Sequence, residues 1–167
     1  MTSLDLLEEH RGVVRLSLLG QACGRSALSF DSAMRLVAML RGAGAGLSAE
    51  GLIALLQGLP EADALGAPMG GGKRGESEWI ASTSSIFGAT IAHQLQSRAK
   101  DLRDYYKRCK RACVLHAWIS GVPLRDIETR FTKNSFFGAI SGGNIRTYAD
   151  GTRFWLGSAV EILQIVF

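Results

Sequence analysis

Apolar residues recur along most of this chain at the three- and four-residue spacing of a helix, not at the two-residue spacing of a strand. Ala33, Leu36, Val37 and Leu40 fall on one helical face, and Ser29 ahead of them is a residue type whose hydroxyl caps helix starts. Gly42, Gly44 and Gly46 interrupt that run. Leu52, Leu55, Leu56 and Leu59 make the next face, with Ser48 as cap and Pro60 ending it or opening the following turn. Beyond a glycine-rich stretch the pattern predicts a helix from about Glu78 to Arg98 and another from about Asp101 to Ser120. A short helix led by Pro123 runs through Arg130, Asn144 caps a later one, and Gly157 separates that from a final apolar helix. At the start, Leu4 to Glu9 reads as a short helix, and Val13 to Leu18, partly alternating and β-branched, as a strand. A lone strand cannot stabilise itself, so it reads as the edge of something larger. The fold expected is mainly α, a bundle of about six to eight helices with a small β remnant at the N-terminus.

Composition narrows the class. The 167 residues suit one compact domain, or one domain plus a short appendage. A hydrophobic share of 47% with 20% charged residues excludes a disordered chain. No secretory leader pattern and no membrane-length apolar stretch is visible, which predicts a soluble, cytoplasmic protein with no membrane partner. Cys23, Cys109 and Cys113 are an odd count without metal-ligand spacing. Cys109 and Cys113 share a helical face and read as small core hydrophobes in a reducing compartment. The net charge of +4 favours an anionic partner without proving one.

The glycine-rich segment Gly66 to Gly75 contains Lys73 and invites comparison with a phosphate-binding loop. That motif needs a glycine where Ala67 stands and a hydroxyl where Arg74 stands, so the segment reads as a connector. His10, His93 and His116 lack carboxylate partners; Cys109, Cys113 and His116 share a face but lack a fourth metal ligand. No nucleophile triad or paired carboxylates stand out, so no catalytic residue, metal or cofactor is expected in this chain. Two cationic stretches remain. Arg103, Lys107, Lys110 and Arg111 recur at helical spacing, with Lys100 and Arg108 nearby; they form either a solvated face or a row of phosphate contacts. Between Asn144 and Phe167, Arg146 and Arg153 interleave with Tyr148, Phe154 and Trp155, a mixture that suits single strands because rings stack on bases while cations hold phosphates. Tyr148 and Trp155 share a core-like face, whereas Thr147, Asp150, Gly151, Phe154 and Ser158 share another. Phe154 is open to both a core and a stacking role.

Four segments in order resemble one family. Val14-Arg15-Leu16-Ser17-Leu18-Leu19-Gly20, followed by Ser26 to Ser29, is similar to the wing and exit of the winged-helix domain of Ski-type superfamily 2 DEAD/DEAH-box helicases. Leu59-Pro60-Glu61 matches a triplet their helical domains carry. Ala117-Trp118-Ile119-Ser120-Gly121-Val122-Pro123-Leu124-Arg125-Asp126-Ile127-Glu128 resembles their W-I-x-G-x-P-x-x-x-I-E turn. Gly142-Gly143-Asn144-Ile145-Arg146 resembles the G-D-I-x-R entry to the long helix called the ratchet. The resemblance spans residues 13–163 and implies the end of a winged-helix domain over 1–28 and a helical ratchet-like domain over 29–167. It further implies a domain that guides a translocating single strand beside motor domains, with ATP and Mg belonging to those motors. The family's stacking aromatic falls on Phe154; its arginine falls on Thr147, with Arg146 adjacent. The nucleic-acid contacts expected are therefore Arg103, Lys107, Lys110, Arg111, Arg146, Thr147 and Phe154. Two other functions fit the same residues: a helical protein–protein interaction module, and a small enzyme with an unrecognised pocket.

Overall fold

Short polar side chains start the helices. Ser17, Ser29, Ser48, Asp101 and Ser141 each accept a hydrogen bond from the backbone N–H three residues on, satisfying a donor that the first turn would leave open. The computed structural model describes residues 5–70, 76–133 and 137–167. Among these, a two-stranded antiparallel sheet of β1 (Leu7–His10) and β2 (Val13–Leu16) precedes nine helices. The helices are α1 (Leu18–Arg25), α2 (Phe30–Ala43), α3 (Ala49–Leu56), α4 (Pro60–Leu65), α5 (Glu78–Phe87), α6 (Ala89–Gln96), α7 (Leu102–Ile119), α8 (Leu124–Phe131) and α9 (Gly142–Val166). The mainly α architecture with a small N-terminal β element is as the hydrophobic pattern predicts.

Helix α7 runs through the middle, packed against α3, α4, α5, α6, α8 and α9. Helix α9 lies across α1, α2, α3, α4 and α7. One continuous core joins Leu36 and Leu40 of α2, Leu55 of α3, Val114 of α7 and Ile145, Trp155 and Ile162 of α9. Leu19, Ala22 and Cys23 of α1 belong to that same core, so the packing continues across residue 28. The hairpin stands outside it, with Leu7, Val13, Val14 and Leu16 all exposed. No helix among the described residues is long and apolar enough to cross a membrane.

Several elements differ from the sequence pattern, each for a local reason. The helix expected over Leu4 to Glu9 gives way to strand β1 at Leu7; Leu4 itself lies outside the described residues. Arg11 and Gly12 both take positive φ, 52° and 76°, and this two-residue turn folds β1 back onto the β-branched pair Val13 and Val14. The helix expected over Glu78 to Arg98 divides at Gly88, whose φ of 91° no L residue adopts comfortably. Conversely, α9 continues through Gly157, where the missing side chain faces open space. Asn144 is not the cap of α9. Ser141 is, and Asn144 is its reciprocal partner in a capping box. Of the glycine-rich connector, Gly71 to Gly75, including Lys73 and Arg74, lie outside the described residues, as does Phe136.

Two glutamates tie distant segments together by capping. Glu61, one residue after Pro60, accepts from the Ser29 N–H at 3.3 Å and from the Ser32 hydroxyl, closing the start of α2. Glu128 of α8 accepts from the Gly142 N–H at 2.7 Å, closing the start of α9. The segments that carry the family resemblance are thus joined in pairs, Leu59–Glu61 to Ser26–Ser29 and Ala117–Glu128 to Gly142–Arg146.

Candidate nucleic-acid interface

The cations of α7 divide by depth. Arg103 is exposed and Lys107 is half-buried beside Asp104, 3.3 Å away. Lys110 and Arg111, expected beside them as phosphate contacts, lie wholly inside the protein together with Arg108. A helix packed by neighbours on nearly every side has little solvent face to give its charges, so each inner cation finds partners within. Arg108 grips Asp63 through two bonds, 2.9 Å from Nε and 2.6 Å from Nη2, and donates to the carbonyls of Leu95 and Ser97. Arg111 shares Asp63 at 3.1 Å and donates to the carbonyls of Gln57 and Gly66. Lys110 pairs with buried Glu76 at 2.8 Å and donates to the carbonyls of Pro68 and Gly138. Burial works against the Asp63 carboxylate, but the bonds and charges of Arg108 and Arg111 outweigh it and hold Asp63 below its ordinary range. Burial lowers Lys110 and Arg111, opposed by Glu76 and Asp63 respectively. These two residues therefore present no surface to a phosphate.

Helix α9 sorts its residues the other way. Ile145, Tyr148, Thr152 and Trp155 face the core, and burial pushes the Tyr148 phenol up to about 12. Arg146, Asp150 and Arg153 follow one exposed ridge at helical spacing, and among the described residues neither arginine makes an ion pair. Phe154 projects beside them with 66% of its surface exposed, so of its two sequence roles the core one is excluded. Thr147 is exposed too, but its hydroxyl donates back to the Gly143 carbonyl at 2.9 Å and is occupied within the helix.

Two residues outside the expected nucleic-acid contacts join this surface. Arg153 lies seven residues after Arg146 on the same ridge, a spacing legible in the sequence once the ridge is known to be exposed. Trp118, at the end of α7, is 44% exposed and lines a cavity of about 250 Å3 with Ile53, Leu115, Thr152, Arg153 and Leu156. The recess beside α9 lies on this Arg153 flank. Gly151, which shares a helical face with Phe154, is covered by Leu65 and the Trp155 ring.

The other sequence candidates for chemistry stay structural. Cys23, Cys109 and Cys113 are buried free thiols, and burial raises the Cys109 thiol to about 11. His116 packs edge-on against Phe87, their rings 5.5 Å apart. No group of three or more His, Cys, Asp or Glu among the described residues is placed to hold a metal ion. Comparison with protein-family models, with curated proteins and with solved structures finds no match for this chain.

Proposed function

We propose that the outer face of α9 binds single-stranded nucleic acid, and that the chain guides a translocating strand within a Ski-type superfamily 2 helicase whose ATP-hydrolysing motor domains are separate from it. The observation that carries this reading is the exposed Phe154 ring on the same helix as exposed Arg146 and Arg153, neither of which has an ion pair among the described residues, while the other large rings of that helix are buried. Rings left in solvent next to free cations are what sequence-tolerant strand binding uses: a base stacks on the ring and the flanking phosphates meet the arginines. In this reading the chain alone hydrolyses no nucleotide.

The test is Phe154→Ala. It should weaken single-strand affinity by about 1–3 kcal/mol as the stacking platform disappears. Stability should move by no more than about 0.5 kcal/mol, as for other surface changes. Unchanged strand affinity removes the proposal. The Trp118 recess favours a second reading, a helical module that docks a protein partner, because apolar recesses with an exposed tryptophan are common at interfaces. Salt-independent strand binding, or none, together with a partner whose affinity falls on Trp118→Ala, would select that reading.

A further inference from the structure

A second concentration of charge lies away from α9, at the start of α7. There α2, α4, the 97–101 connection and the first turns of α7 enclose an open cleft of about 460 Å3, within the size of small-ligand sites, roughly 300–1,000 Å3. Its walls carry Arg35, Arg98, Lys100 and Lys107 against the carboxylates of Asp63 and Asp104. Both carboxylates are already engaged. Asp63 is held by Arg108 and Arg111 from within, and Asp104 pairs with Lys107. Among the described residues this leaves Arg35, Arg98 and Lys100 with no carboxylate in ion-pair contact. Burial lowers the Arg35 guanidinium first of all, and the nearby charges of Arg108 and Arg98 lower it further, while Asp63 and Asp31 act in the opposite sense.

The backbone at this place is also unusual. Arg98 takes a φ of 56°, the left-handed region that a bulky residue seldom occupies without an enforcing surrounding. Here the surrounding is explicit. The Arg98 carbonyl accepts from Arg35 Nη2 at 3.0 Å and from Arg108 Nη2 at 3.3 Å. Two guanidinium groups therefore hold the turn that carries the exposed Arg98 and Lys100 side chains at the cleft. Among the described residues no ion pair uses either side chain, and a glycine would suit the Arg98 backbone better than an arginine does.

We propose that this cleft is a phosphate-binding site, with Arg98 and Lys100 as direct contacts and Arg35 and the Asp104-paired Lys107 as fixed charge behind them. Two sources carry that chemistry, the phosphodiester of a nucleic-acid strand and a soluble phosphate compound; the strand form rests on the reading of α9 above. Lys107 is marked by its helical spacing alone. Arg98 and Lys100 stand two residues apart just ahead of α7, and Arg35 of α2 is brought to them only by the fold.

The test uses the whole chain carrying Arg98→Gly with Lys100→Ala. Both side chains are exposed, and glycine fits the left-handed turn, so the melting temperature should stay level or rise. Titration of wild type, this variant and Phe154→Ala is done with a single-stranded oligonucleotide across a salt series, and with inorganic pyrophosphate. The expected result is a strand salt slope smaller by about 1.4, about 0.7 for each of the two cations removed, with pyrophosphate binding abolished. Phe154→Ala should leave that slope alone. Loss of pyrophosphate binding with an unchanged strand slope keeps the phosphate site and overturns its strand form. No change with either probe overturns the site, whatever Phe154→Ala does. A loss confined to the cleft variant leaves the site standing and sinks the reading of α9 instead.

Discussion

Helices α7 and α9 both carry arginine or lysine at helical spacing, yet the fold places the two sets in opposite environments. On α7, Arg108, Lys110 and Arg111 are within 1% of full burial and are held by Asp63 and Glu76. On α9, Arg146 and Arg153 stand in solvent, and among the described residues neither has an ion pair. The difference lies in how each helix is surrounded. Helix α7 is enclosed, so a charge there must be matched inside, and its partners come from the connection before α5 and from α4. Helix α9 has helices on one side only, so its charges need no match and remain available to a ligand. A cationic stripe in a sequence is thus an internal structural device in one helix and an exposed surface in another.

Removing the internal match should have the largest effect. Asp63→Asn leaves two buried guanidinium groups facing a neutral amide, and breaking buried pairs in this way costs about 3–5 kcal/mol. Denaturant unfolding should show that loss for Asp63→Asn and a similar one for Glu76→Gln. Arg146→Gln should move stability by no more than about 0.5 kcal/mol. Equal effects at Asp63 and Arg146 would abolish the distinction between the helices. Within α9 the contrast should recur one residue apart. Trp155→Ala empties a core position and should cost about 3–5 kcal/mol, while Phe154→Ala should be nearly neutral in the same unfolding assay.

Much of this arrangement is legible in the sequence, and the parts that are not have physical causes. Ser29, Ser48 and Asp101 mark helix starts correctly because a side-chain cap is a local interaction. The core faces of α2, α3 and α9 follow from spacing alone, Tyr148 and Trp155 included. The burial of Lys110 and Arg111 cannot be read, because their partners are 34 or more positions away in the chain, at Glu76 and Asp63. Nor can spacing tell a breaking glycine from a tolerated one. Gly88 takes a left-handed φ and splits the helix, whereas Gly157 stays helical with open space beside it. Phe154 is open to either role until the packing of α9 puts it outside.

Acid should weaken the internal network by a smaller and graded amount. The Arg108 and Arg111 bonds hold the Asp63 carboxyl below its ordinary range against the opposing effect of burial, and the Ser32 bond does the same for Glu61. Each of these groups binds fewer protons folded than unfolded. The stability they contribute is therefore fully present above their unfolded values of about 4, and is lost as the pH falls through the folded values. Unfolding free energy measured from pH 6 downward should decline gradually through this range in wild type. The decline should be shallower in Asp63→Asn, which lacks one of the titrating groups. Parallel profiles for the two proteins would mean that Asp63 titrates as an ordinary carboxylate.

The central claim, that α9 displays its charges for a nucleic-acid strand, is tested most directly by the salt dependence of single-strand affinity after Arg146→Gln with Arg153→Gln. Both side chains are exposed and outside the ion pairs of the described residues, so the double variant should melt with wild type. If each arginine meets a phosphate, the slope of log affinity against log salt should shrink by about 0.7 per arginine, about 1.4 in all, for every strand sequence alike. A slope and affinity equal to wild type would contradict the account and make the α9 ridge no more than a solvated face.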